Sequence, residues 1–181
     1  MSTLYTACHK HDEFAHLSPD EIDSAIRHGA KMRKTSVTHN HRNHKGYNPD
    51  DMKALRVQCL GSLSEAAASK VLGLPIVLTH EVYNVPDLPG KVQVRLIGCE
   101  SYGLRVYPKD DPLWRVVGVV IPQGHERDGR YRVPGWCWAR EALSCPDWQM
   151  SPCGRPPMFC VPQSELRPIS TLRAMVNGFL L

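Results

Sequence analysis

Pro86-Asp87-Leu88-Pro89-Gly90-Lys91-Val92-Gln93-Val94-Arg95 sets an acid on a turn punctuated by proline and glycine and follows it directly with a strand. From Lys91 to Ile97 polar and apolar residues alternate, and side chains of a strand point to opposite faces in turn. Lys91, Gln93 and Arg95 therefore share one face, and Val92, Val94 and Leu96 share the other. The apolar set reads as core. The polar set would stand beside Asp87, so that a carboxylate, an amide and a guanidinium converge. Upstream, Gly61 to Leu72 reads as a helix that brings Glu65 to the same place.

Working outward, Ser18-Pro19-Asp20-Glu21 has the marks of a helix start: Ser at the cap, Pro at the first helical position and acids in the first turn. Apolar spacing predicts a helix from about Pro19 to Lys34, and Met1 to Leu17 reads as a loosely held arm. Asn48-Pro49-Asp50-Asp51 starts a second helix, which runs to about Leu72 with an apolar stripe at Met52, Leu55, Cys59, Leu63, Ala66 and Ala67. Gly61 within it is costly in a helix and reads as a place of close backbone approach. Ile76-Val77-Leu78 reads as a short strand, Tyr102 to Tyr107 as another. The β-branched run Trp114 to Ile121 is the expected buried strand. Tyr131 to Trp138 continues as a strand, with a bulge or an edge position expected at Pro134-Gly135. A brief helix at Ala139 to Leu143, a strand at Met158 to Val161, a turn at Gln163 to Leu166 and a helix at Pro168 to Asn177 complete the chain. The fold class is α/β, with a mixed sheet of about five strands, the Asp87 motif on a central hairpin, and flanking helices. Residues 1–48 read as an N-terminal helix and basic His-rich arm, and 49–181 as the core domain.

Hydrophobic residues make up 42% and charged residues 22% of the 181, which argues against disorder throughout. A net charge of +4 permits an anionic partner without demanding one. Seven cysteines, with no Cys-x-x-Cys pair, read as free thiols of a reducing cytoplasm rather than as a disulfide or zinc framework. No stretch approaches the roughly 18 apolar residues of a membrane helix, so no membrane partner is expected.

Lys31 to Lys45 holds five Lys or Arg, three His and no acid. Lys31, Arg33, Lys34, Arg42 and Lys45 are candidates for neutralising nucleic-acid phosphates; the alternative is a solvated loop. His39, His41 and His44 lack the flanking strands that a metal finger would need. Arg155, Gln163 and Arg167 are further candidates for a phosphate backbone, against a Pro-rich turn held by its own hydrogen bonds. Trp136, Trp138 and Trp148 read as packing residues, because no basic residue interleaves them closely in sequence.

The order helix-Glu65, Pro-Asp87, Gln93-x-Arg95 resembles the PD-(D/E)xK nuclease superfamily, and Gly154-Arg-Pro-Pro157 with Val161-Pro-Gln-Ser-Glu-Leu-Arg-Pro168 resembles its small phage or mobile-element members. The resemblance implies a restriction-endonuclease-like fold and metal-dependent hydrolysis of DNA in a bacterial or phage-infected cell. Asp87, the Gln93 side-chain oxygen, the Val94 carbonyl and Glu65 would hold Mg2+ or Mn2+, and Arg95 would orient water or stabilise phosphate charge. Two positions depart from the pattern: Gln93 replaces a carboxylate and Arg95 a lysine. The first removes a negative charge from the site; the second cannot act as a general base. A catalytically inactive relative that binds DNA or protein, or a virion-associated structural protein, is the alternative; a homodimer is compatible with either.

Overall fold

A computed structural model describes residues 11–38, 52–78, 85–151 and 156–178. These form a mixed α/β structure of two sheets and four α-helices: β1 (Glu13–His16), α1 (Pro19–Thr38), α2 (Met52–Leu72), β2 (Val92–Ile97), β3 (Leu104–Val106), β4 (Arg115–Val120), β5 (Arg130–Trp138), α3 (Ala139–Leu143), β6 (Gln149–Met150), β7 (Met158–Val161) and α4 (Ile169–Gly178). None of the helices among the described residues is long and apolar enough to cross a membrane.

The first sheet has the order β1-β5-β4-β2, and the second β3-β7-β6. β2 pairs with β4 in parallel, while the other pairs in both sheets are antiparallel. Two expectations are thereby corrected. The single sheet of about five strands is two sheets, and the Asp87 motif lies on an edge strand rather than a central hairpin. The hairpin that does form is minimal: Leu88 and Val92 exchange backbone hydrogen bonds across Pro89, Gly90 and Lys91. Gly90 and Lys91 turn this loop with positive φ of 72° and 57°. For Lys91 that conformation costs about 1–2 kcal/mol.

Alternation along β2 and β4 builds two layers on the first sheet. Val92, Val94, Val117 and Val119 face α2 and α4 in a core with Leu63, Ala66, Ala67, Ile169 and Leu172. Ile97, Val116 and Val120 face the second sheet, where Leu104, Val106 and Val161 meet them. Sheet β3-β7-β6 packs on the opposite side of β2, and Gln93 there is buried at 6% exposure. β5 serves both layers because its register slips opposite Gly118–Val120. One extra residue there flips the alternation, so Tyr131 and Val133 before it and Trp136 after it all face the helices.

The N-terminal segment belongs to this core. Glu13–His16, read as part of a loose arm, pairs with Arg130–Val133, and Ala15, Leu17, Ile22 and Ala25 are buried in the helix-side layer. Four residues without alternation carry no strand signal of their own; the long partner supplies it. α1 runs antiparallel to α2, with Glu21 bonded to Lys70, His28 to Ser62, and the Cys59 thiol to the Ile26 carbonyl. The close approach occurs at Gly29, where a Cβ would stand 2.6 Å from the Cys59 Cα. Gly61, expected to be that place, faces open space. Leu74–Leu78 forms no strand, and His39, His41, His44, Arg42, Lys45, Cys153 and Arg155 lie outside the described residues.

Beneath β5, Arg132 and the Asp12 carboxylate form an ion pair at 3.1 Å with side chains 0% and 1% exposed. Arg132 also donates to Gln163 Oε1 at 2.8 Å, and Gln163 Nε2 donates to the carbonyls of Glu100 and Tyr102 at 2.7 and 2.6 Å. Removing one member of such a pair strands a buried charge. Asp12→Ala is expected to lower unfolding stability by about 3–5 kcal/mol, whereas the double change Asp12→Leu/Arg132→Met costs less than Asp12→Ala alone. Urea midpoints at constant slope check this, and equal losses would contradict the pairing.

Candidate functional site

In a parallel pair, alternate residues of an edge strand direct both backbone groups away from the partner. On β2 these are Val92, Val94 and Leu96, and local groups meet the first two. Leu88 bonds Val92 in the hairpin. Asp87 Oδ2 accepts the Val94 N–H at 2.7 Å, and Arg95 Nη1 donates to the Val94 carbonyl at 3.4 Å. The Gln93 amide nitrogen donates to the same Asp87 oxygen. The turn thus places a carboxylate on the rim of an edge strand and blunts that edge against further strand pairing.

The structure brings Asp87, Gln93 and Val94 together. Arg95 turns elsewhere: its guanidinium pairs with Asp110 Oδ1 at 3.0 Å, and the second Asp110 oxygen accepts the Tyr107 N–H at 2.9 Å. The Tyr107 ring lies under Arg95 at 5.6 Å. Asp110 is almost wholly buried, so this pair holds the loop after β3 against β2. Glu65 is half-buried on α2, which packs on the Val92/Val94 face; Gln93 and Arg95 leave β2 from the opposite face. Asp87, in the plane of the edge, is the one member between the two. Among the described residues no three His, Cys, Asp or Glu side chains cluster as a metal site.

Of the candidate phosphate contacts, Lys31 and Lys34 are exposed on α1 and Arg33 is half-buried. Gln163 spends its amide on Arg132, Glu100 and Tyr102 as described. Arg167 forms a two-pronged pair with Glu141 at 2.5 and 2.8 Å and lies 5.4 Å over the Trp136 ring. The Arg167 hydrogen bonds hold the Glu141 carboxyl below its ordinary value despite partial burial.

Sequence reading missed a basic and aromatic cluster at the end of the sheet where β2 and β4 begin. Trp138 stands opposite Arg115 in the β4–β5 register. The guanidinium carbons of Arg115 and Arg140 lie over its ring at 4.6 and 4.8 Å. Trp136 lies in the helix-side core, Trp138 packs against it and Trp148 against the second layer, as packing residues do; arginines nevertheless stand over two of the rings, Arg167 over Trp136 and Arg115 with Arg140 over Trp138. Arg140, two residues on, was visible in the sequence; Arg115 becomes visible only once the register is known. Arg115 Nη1 also bonds the Gly90 carbonyl, tying the cluster to the Asp87 turn.

The thiols are free among the described residues. Burial foremost, and the Glu141 charge next, push Cys137 up to about 12, while hydrogen bonds from Ser101 lower exposed Cys99. Iodoacetamide at neutral pH is expected to label Cys99 before Cys137, with Cys137 reacting only after unfolding; peptide mapping by mass spectrometry reads the order. At the edge, Asp87→Ala removes the acceptor of the Val94 N–H and is expected to cost about 1–3 kcal/mol. Asp87→Asn keeps a carbonyl oxygen there and should lose less in the same urea titration.

Compared with protein-family models, curated proteins and solved structures, the chain finds no match in any of the three, so its functional reading rests on its own residues.

Proposed function

We propose that the chain is a metal-dependent nuclease of restriction-endonuclease-like type that hydrolyses phosphodiester bonds of DNA, with Asp87 at its centre. The observation that carries this reading is the meeting of Asp87, Gln93 and the Val94 main chain on one rim, beside the sheet face on which the Glu65 helix packs. Carboxylate, amide and main-chain oxygens are the donors a hard divalent cation takes. Asp87, the Gln93 side-chain oxygen, the Val94 carbonyl and Glu65 would hold Mg2+ or Mn2+. Rotation of the Gln93 terminal amide exchanges its nitrogen for its oxygen toward Asp87 with little change of shape. Such a cation supplies Lewis acidity and a more acidic bound water. The chain's own part is to fix Asp87 through the Val94 N–H and to keep Gln93 buried beside it.

A second reading has its own observation. Gln93 offers Asp87 a nitrogen, and Arg95 is committed to Asp110, which together describe a structural brace. On that reading the protein is an inactive relative that binds DNA or a protein partner. Incubation of supercoiled and linear DNA with Mg2+, Mn2+ or EDTA separates the two. Cleavage that needs the metal and falls at least about 100-fold in Asp87→Asn supports the nuclease, the change of charge being made with the turn's brace retained. A wild-type protein inert with both metals, and showing no divalent-ion binding by calorimetry, supports the brace.

A further inference from the structure

Arg115 and Arg140 carry their guanidinium carbons over one indole ring, so the two like charges can be no farther apart than the sum of 4.6 and 4.8 Å. Stacking occupies the flat face of a guanidinium and leaves in-plane N–H groups to bond at the edge; Arg115 gives Nη1 to the Gly90 carbonyl and its Nε is buried, so the outward donors are those of Arg140. Arg140 is exposed, and among the described residues no carboxylate forms an ion pair with it. The neighbouring acid, Glu141, is already engaged by Arg167. Exposed Lys91 sits on the Asp87 turn with a left-handed backbone, and its carbonyl accepts the Arg115 backbone N–H at 2.9 Å, which sets a third cationic residue at the same end of the sheet. Trp138 is half-buried at the end of β5, so the stack is fixed at its base by the sheet and open at its rim.

We propose that Arg115, Trp138 and Arg140, with Lys91, form the surface on which the phosphate backbone of a DNA duplex lies. The indole is the support and not the reader: with guanidiniums over its ring it does not stack a base, and in-plane donors suit the two oxygens of a phosphate. Contacts of this kind are independent of base sequence and release counterions, so they show in the salt dependence of binding. The inference deepens the reading of the protein as one that acts on DNA, because this surface adjoins the Asp87 turn. It does not depend on cleavage.

The test is the anisotropy of a short fluorescein-labelled DNA duplex titrated with the full chain in EDTA at several salt concentrations. The expected result is sequence-independent binding in which Arg140→Ala lowers the slope of log affinity against log salt by about one, while Arg140→Lys, which keeps the charge, restores it. Arg140→Glu should weaken binding further, with circular dichroism confirming the fold of each variant. A wild-type chain that does not bind the duplex overturns the proposal. So does an Arg140→Ala slope equal to wild type, above all if Lys31→Ala/Lys34→Ala lowers it instead. Because EDTA removes catalysis from the measurement, loss of the nuclease reading and loss of this surface give different results: the first leaves the slope change intact, the second abolishes it whether or not DNA is cut.

Discussion

The buried pair of Arg132 and Asp12 is the constraint around which the two sheets are arranged. Arginine cannot shed its proton inside a protein, so burying it without a partner would cost several kcal/mol or more. Arg132 meets that cost with one charged and one neutral acceptor, Asp12 and Gln163, drawn from opposite ends of the chain. Each brings a segment with it. Asp12 precedes β1 and so places that short strand along β5; Gln163 follows β7 and fixes it against the loop from Glu100 to Tyr102. The register slip in β5 is part of the same arrangement. It lets Arg132 point toward the second sheet while Trp136, only four residues on, points into the helix-side core. Without the extra residue one of these two large side chains would face the wrong layer.

The edge of β2 shows how the same contacts can serve stability and chemistry. An edge strand next to solvent exposes backbone groups that invite pairing with another chain, and here Leu88, Asp87 and Arg95 meet them locally. A carboxylate used this way is also held rigidly, with one oxygen set by a main-chain N–H. That is the preorganisation a metal ligand needs. Arg95 tips the balance the other way. Its pair with nearly buried Asp110 is expensive to break, since Asp110 would lose its charged partner while its other oxygen remained on Tyr107. A role for Arg95 toward phosphate therefore has to be exercised with Asp110 still attached, through the donors that the pair leaves over.

Local pattern told most where the local signal was long. α1 was readable from its cap and apolar spacing, α2 from apolar spacing, β4 from four β-branched residues, and α3 and α4 within a residue or two. β1 was not readable, because Glu-Phe-Ala-His has no period and is a strand only by virtue of β5. The covering of Gln93 by a second sheet was equally invisible: alternation tells which residues share a face but not what lies over it. The meeting of Asp87, Gln93 and Val94 was legible since it spans seven residues, whereas Arg95–Asp110, Arg132–Asp12 and Arg115–Trp138 depend on separations of 15 residues, 120 residues, and the β4–β5 register. Gly61 and Gly29 make the same point for packing. A helical glycine announces a possible close approach, and only the partner helix decides which glycine is used.

In open sheets with parallel strands, ligands usually lie beyond the carboxyl ends of those strands, where loops leave a crevice. Here the parallel pair is β2 and β4, and that end is filled by the protein itself. The loop after Ile97 gives its Glu100 and Tyr102 carbonyls to Gln163, and Arg132 lies opposite Val120 at the end of β4. The opposite end is differently made. There the Asp87 turn, Lys91, Arg115 and Arg140 gather, the two arginines over one indole. On the proposed reading an anionic partner would be met at the start of the parallel strands, where exposed Arg140 lies over the indole. That is also the end at which the carboxylate on the edge of β2 is held.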